Sequence, residues 1–168
     1  KRFNEFCKEY GKDLELWFEP GKFLVSEAGF LFVKTNVVKQ TVATVFAGVD
    51  SGLNHLIRPM LYDAYHHITN ISNPSGVNRV YTIVGYICET DTFGTDRKLN
   101  EVREGDILAL HNAGAYSFAM ASNYNSRLRP AEVLVKDGKA TLIRKRETMD
   151  DLLRNQILLE EFSTKELA

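Results

Sequence analysis

Asn78-Arg79-Val80-Tyr81-Thr82-Ile83-Val84-Gly85-Tyr86-Ile87 is an apolar run dense in β-branched and aromatic residues, and it reads as a buried strand. Runs of the same character surround it between Gly29 and about Arg146. They are GFLFVKTNVV (29–38), TVATVFAGV (41–49), HHITNIS (66–72), DILALH (106–111), YSFAMAS (116–122), AEVLVK (131–136) and KATLIRKR (139–146). Asp137-Gly138 between the last two supplies the positive φ angles of a type I′ hairpin turn, and Glu104-Gly105-Asp106 reads as a second turn. Many short strands at this spacing predict a mainly β fold, an antiparallel barrel or sandwich.

Outside that block the pattern changes. Phe3, Phe6, Cys7 and Tyr10 share one helical face, with Gly11 as a stop. Leu14, Leu16 and Phe18 alternate as a short strand would, Glu19-Pro20-Gly21 breaks the run, and FLVSEAG (23–29) reads as one or two helical turns. Helix, strand, turn and helix in this order are the rhythm of an α/β unit, which cannot stand alone and is expected to be the end of a larger α/β domain. At the other end Thr148 can cap a helix, Asp150 and Asp151 suit its dipole, and Leu152, Leu153 and Ile157 give it an apolar stripe for packing back on the body. The expected division is 1–28, 29–146 and 147–168.

The 168 residues carry 21 Lys plus Arg against 22 Asp plus Glu, a net charge of −1 that gives no global attraction to nucleic acid or to an anionic membrane. No apolar run approaches the ~20 residues of a bilayer span. Two cysteines make no disulfide scaffold and fit reduced thiols in the cytoplasm. A chain starting at Lys1 without an initiator Met is expected to be part of a longer one.

Four stretches could carry chemistry. Glu19-Pro20-Gly21-Lys22 brings backbone amides and a cation to a turn before a helix, an arrangement suited to an anion such as phosphate; it also reads as a plain turn with a surface lysine. Arg58, restrained by Pro59 and followed by Tyr62, could clamp a carboxylate or pair with a local acid. Cys88-Glu89 sets a thiol beside a carboxylate, which favours the protonated thiol and suits a proton donor rather than a nucleophile; a buried structural cysteine is the alternative. Small residues crowd Tyr116 in NAGAYSFAMASNYNSR (112–127), so its phenol could meet a phosphate, or the segment could be a tightly packed strand. His55, His66, His67 and His111 lack metal-ligand spacing, and no metal is expected.

Together these stretches resemble the C-terminal part of diaminopimelate decarboxylases, pyridoxal-phosphate enzymes of the alanine-racemase-like decarboxylase group. The resemblance is carried by EPGKFLVSEAG (19–29), VDSGLNHLIRPMLYDAYH (49–66), GYICETDTFGTDR (85–97) and EGDILALHNAGAYSFAMASNYNSRLRPAEVLV (104–135) with the hairpin after it. It implies that residues 1–28 end an N-terminal (β/α)8 cofactor barrel, that 29–146 form the C-terminal β domain, and that 147–168 are a closing helix. It implies roles as well. Glu19, Pro20, Gly21 and Lys22 would border the cofactor phosphate and the substrate. Arg58 and Tyr62 would bind the carboxylate far from the reacting carbon, and Glu89 the distal amino group. Cys88 would protonate the carbon that loses carbon dioxide, and Tyr116 would contact cofactor and substrate. Cys88 and Glu89 would serve the site of a second subunit, giving a homodimer with shared sites that makes lysine from a small amino-acid substrate.

Two positions depart from the family pattern. Lys22 stands where the family usually has Arg, and Cys88-Glu89-Thr90-Asp91-Thr92 replaces a Cys-Glu-Ser-Gly-Asp loop. In that family the lysine that binds the cofactor covalently belongs to the barrel, so this piece alone is expected to be inactive. The competing expectations are a related ornithine-, arginine- or carboxynorspermidine-type decarboxylase, and a non-catalytic dimerising β domain.

Overall fold

Residues 1–157 are described by a computed structural model. Helix α1 (Arg2–Tyr10) forms as its spacing predicts and ends at Gly11, whose φ of 72° lets its N–H turn back to the Cys7 carbonyl. Helix α2 (Gly21–Val25) follows the Glu19-Pro20 turn and runs into a 3₁₀ turn, Ser26–Ala28. Between them the alternation of Leu14, Leu16 and Phe18 makes no strand: residues 13–20 carry no ladder, and Trp17 is 82% exposed. A strand needs a partner edge for its N–H and C=O groups, and no described segment offers one there.

The β block has six strands in one sheet. They are β1 (Leu31–Gln40), β2 (Val45–Val49), β3 (Ile68–Asn70), β4 (Asn78–Val84), β5 (Thr92–Asn100) and β6 (Ile107–Leu110), in the order β3-β6-β1-β2-β4-β5. The edge strands β3 and β5 approach each other, so the sheet nearly closes into a barrel. Asn70 helps that closure, its side-chain amide donating to the Glu101 carbonyl and to Asp106, each at 2.8 Å. Inward residues of every strand fill the interior, among them Val33, Val49, Ile68, Ile83, Phe93 and Leu108. Tyr81 is buried there too, its phenol oxygen accepting the Val102 N–H at 3.0 Å.

The mainly β architecture is the expected one, and three details differ. The β2–β4 pair is parallel, because helix α3 (Arg58–Tyr62) and β3 intervene between the two strands. Strand β5 was not foreseen: Phe93 and Leu99 point inward from a segment otherwise polar and charged. YSFAMAS is not a strand but a turn, with Tyr116 at φ 57° and a 3₁₀ segment at Phe118–Met120.

Beyond the barrel, β7 (Glu132–Lys136) and β8 (Lys139–Arg144) form a separate hairpin, turning at Asp137 and Gly138 with φ of 51° and 74°. Helix α4 (Met149–Leu153) starts at Thr148 in a capping box with Asp151. It is shorter than the helix expected over 147–168, and residues 158–168 lie outside the described ones.

Candidate functional site

Helix α3 separates Arg58 and Tyr62 by four residues, one turn, which stacks the guanidinium on the ring at 5.3 Å from the centroid. The Tyr116 ring also meets this guanidinium, at 5.8 Å from its centroid. Its hydroxyl lies against Gly21, where a Cβ would come within 2.5 Å of it. The Glu19–Lys22 turn, Arg58, Tyr62 and Tyr116 therefore converge.

Backbone contacts hold the convergence in place. Ala113 N–H donates to the Gly29 carbonyl and Gly114 N–H to that of Ser26, at 2.8 and 3.0 Å, and Ser26 Oγ donates to the Asn112 carbonyl. These contacts support Tyr116 in a left-handed conformation that costs an aromatic residue about 1–2 kcal/mol. Strain of this kind persists where the surroundings over-determine it.

The cluster is cationic. Arg58 Nε is buried without a partner, and among the described residues neither Lys22 nor Arg58 forms an ion pair. His66 lies behind them, bonded through Nδ1 to the His111 carbonyl at 2.8 Å, with Nε2 buried and unpartnered. Burial holds His66 below the usual histidine range, and Arg58 and Lys22 push it further in that direction. Unpaired cations, a free phenol and a glycine cradle fit a phosphate ester or a carboxylate.

Cys88 and Glu89 form a second cluster, at the tip of the loop after β4, where both are exposed. The Cys88 thiol donates to Glu89 Oε2 at 3.5 Å, and Tyr124 Oη donates to Glu89 Oε1 at 2.5 Å. Asn125 Nδ2 donates to Cys88 Sγ at 3.8 Å from a left-handed backbone, φ 53°. The Tyr124 hydrogen bond holds the Glu89 carboxyl below its ordinary range, and the carboxylate in turn raises Tyr124. Sequence reading missed Tyr124 and Asn125 as partners; their only signal was their place in the unusual SNYNSR segment.

No hydrogen bond or cation–π contact among the described residues joins this pair to Arg58, Tyr62 or Tyr116. A cavity of about 410 Å³ is lined by Pro59 and Met60 of α3 and by Thr90 and Thr92 beside the Cys88 loop. The two loops are nevertheless braced together. Buried Asp91 accepts the N–H of Leu53 and that of Ile87, Tyr86 N–H donates to the Ser51 carbonyl, and Tyr86 Oη donates to Asn54. His55 joins Ser51 to the Leu128 carbonyl at 2.9 Å on either side of its ring, a structural use of that histidine. No group of three metal-ligating side chains gathers among the described residues.

The sequence matches the family described as pyridoxal-dependent decarboxylase, C-terminal sheet domain, over residues 22–114. It is 46% identical over 157 residues to the diaminopimelate decarboxylase of Methanothermobacter thermautotrophicus, covering 92% of this chain and 36% of that protein. The structure is similar to the crystal structure of the M. jannaschii diaminopimelate decarboxylase in complex with L-lysine, with a TM-score of 0.83, 39% identity, and coverage of 96% of this chain and 38% of that one. A lysine/ornithine decarboxylase from Vibrio vulnificus is similar in fold, with a TM-score of 0.57 and 22% identity over 64% of this chain. The chain thus spans little more than a third of the relatives it matches.

Proposed function

The chain belongs to the pyridoxal-dependent decarboxylase family, whose C-terminal sheet domain it carries, and on that premise we propose that it is the C-terminal part of a decarboxylase converting meso-diaminopimelate to lysine and carbon dioxide. Residues 1–28 would be the end of the cofactor barrel, and 29–146 the β domain. The observation that carries the reading is the unpaired Arg58 guanidinium in contact with both Tyr62 and Tyr116, the latter against Gly21 of the Glu19–Lys22 turn.

In this reading Gly21 and Tyr116 border the phosphate of the cofactor, with Glu19, Pro20 and Lys22 on the same rim. Bound pyridoxal phosphate supplies an electron sink for the carbon that loses carbon dioxide. Arg58, steadied by Tyr62, binds the carboxylate at the far end of the substrate, and Glu89 binds the amino group there. A substrate lacking the distal carboxylate leaves Arg58 unpaired, and that unpaired charge is the basis of discrimination. Lys22 offers a point charge where a planar fork would bind in two places. Cys88 delivers a proton from Sγ to the carbon, and its exposure suits delivery across a boundary between two copies of the chain. The active unit would be a cytoplasmic homodimer. Among the described residues no helix is long and apolar enough to cross a membrane.

The test is turnover by the full-length protein with pyridoxal phosphate and a panel of amino acids. Lysine formation from diaminopimelate, abolished or greatly slowed in Cys88→Ala, is the expected result. Preference for ornithine would overturn the role of Arg58, and full lysine formation by Cys88→Ala would overturn that of the thiol.

A further inference from the structure

Glu89 is exposed and has three rotatable bonds, so left alone its carboxylate would sample many positions. Here both of its oxygens are engaged: Oε1 accepts from Tyr124, and Oε2 from the thiol it neighbours. An exposed pair of this kind adds little to stability. The segment behind it is nevertheless firmly tied. Asn123 Nδ2 donates to Glu147 at 2.7 Å and to the Arg127 carbonyl at 3.0 Å, and Ser122 N–H donates to the Asn54 carbonyl at 2.8 Å. An anchored turn thus presents a phenol to an otherwise mobile carboxylate.

We propose that Tyr124 is a positioning residue for the Cys88–Glu89 pair: its hydroxyl fixes one oxygen of Glu89, so that the other holds the thiol and the remaining lone pairs face the cationic end of the substrate. This rests on the functional reading above and adds a residue to it. Tyr124 touches no reacting atom; it acts through Glu89. Its hydroxyl also keeps Glu89 ionised to lower pH, as a carboxylate meant for an ammonium group requires.

The experiment compares Tyr124→Phe and Tyr124→Ala in the full-length enzyme. Both are expected to raise KM about five- to twentyfold, the loss of one charged hydrogen bond, while kcat falls far less. The acid limb of kcat/KM moves to higher pH in both. A second readout needs no turnover: iodoacetamide alkylates the Cys88 peptide, resolved by mass spectrometry, several-fold faster at fixed pH in Tyr124→Phe, because the thiol has lost its fixed acceptor. Tyr124→Phe matching wild type in KM, acid limb and alkylation overturns the proposal, as does a defect confined to Tyr124→Ala, which would assign the effect to ring packing. Should the wild-type enzyme decarboxylate none of the amino acids, the functional reading fails while the alkylation rates still decide whether Tyr124 holds the pair.

Discussion

The Asp91 carboxylate accepts the backbone N–H of Leu53 at 2.8 Å, across 38 residues of chain. Its other oxygen accepts Ile87 N–H at 2.9 Å, immediately before Cys88. One buried side chain thus spans the loop that leads to Arg58 and the loop that carries the thiol. Replacing it with alanine strands two buried amides, each worth about 1–3 kcal/mol. In Asp91→Ala the amides of Leu53 and Ile87 should lose protection together in hydrogen exchange of the full-length protein, while those of β1 stay protected. Unchanged exchange at both positions would refute the brace.

Arg58 should tolerate no substitution that keeps charge alone. Arg58→Lys loses the planar fork and the stacking on Tyr62 and Tyr116. With meso-diaminopimelate as the proposed substrate of the full-length protein, kcat/KM should fall about 10- to 100-fold, the worth of a charged hydrogen bond, and Arg58→Ala should fall at least as far. Steady-state kinetics on purified variants settles it.

Arg129 and Glu147 tie the segment after the Tyr124 turn to the start of α4. Arg129 donates its backbone N–H and two guanidinium N–H groups to Glu147, and Asn123 Nδ2 donates to it as well. The Arg129 hydrogen bonds, above all, hold the Glu147 carboxyl down to about 2. A lowered carboxyl contributes stability that is complete above its ordinary value near 4.5 and is lost as pH falls toward 2. Glu147→Gln should therefore cost about 1–3 kcal/mol at neutral pH. Its unfolding midpoint should converge on that of wild type as the pH is lowered through that window.

Gly21 and Gly114 should respond differently to alanine. At Gly21 the added Cβ meets only the end of the Tyr116 side chain, so the fold survives and the hydroxyl is displaced. Pyridoxal phosphate affinity should drop with little change in thermal midpoint. At Gly114 the Cβ would lie 1.9 Å from the Val25 carbonyl oxygen and 2.9 Å from Gly29 N, both backbone. Gly114→Ala should lose about 2–4 kcal/mol and much of its soluble yield.

Local chemistry made several elements legible. Gly11 ends α1, Asp137-Gly138 turns the hairpin, and Thr148 caps α4, each through contacts within a few residues. Where partners are distant the sequence is silent. The parallel β2–β4 pairing depends on where α3 and β3 carry the chain, and β5 hides its two inward residues, Phe93 and Leu99, among charges. The convergence of Gly21, Arg58 and Tyr116 was foreseen only through resemblance to a family, since no periodicity relates positions so far apart. Tyr124 was missed because its partner Glu89 is 35 residues away.

Gly29 and Gly114 meet backbone to backbone, with no room for a methyl group on either. The strip holding Lys22 and the bend holding Tyr116 are therefore riveted into one rigid part. Anyone splicing this sheet onto a relative's barrel should place the junction before Glu19, because a seam between that turn and β1 would pair halves shaped by different ancestors across a joint that admits no adjustment.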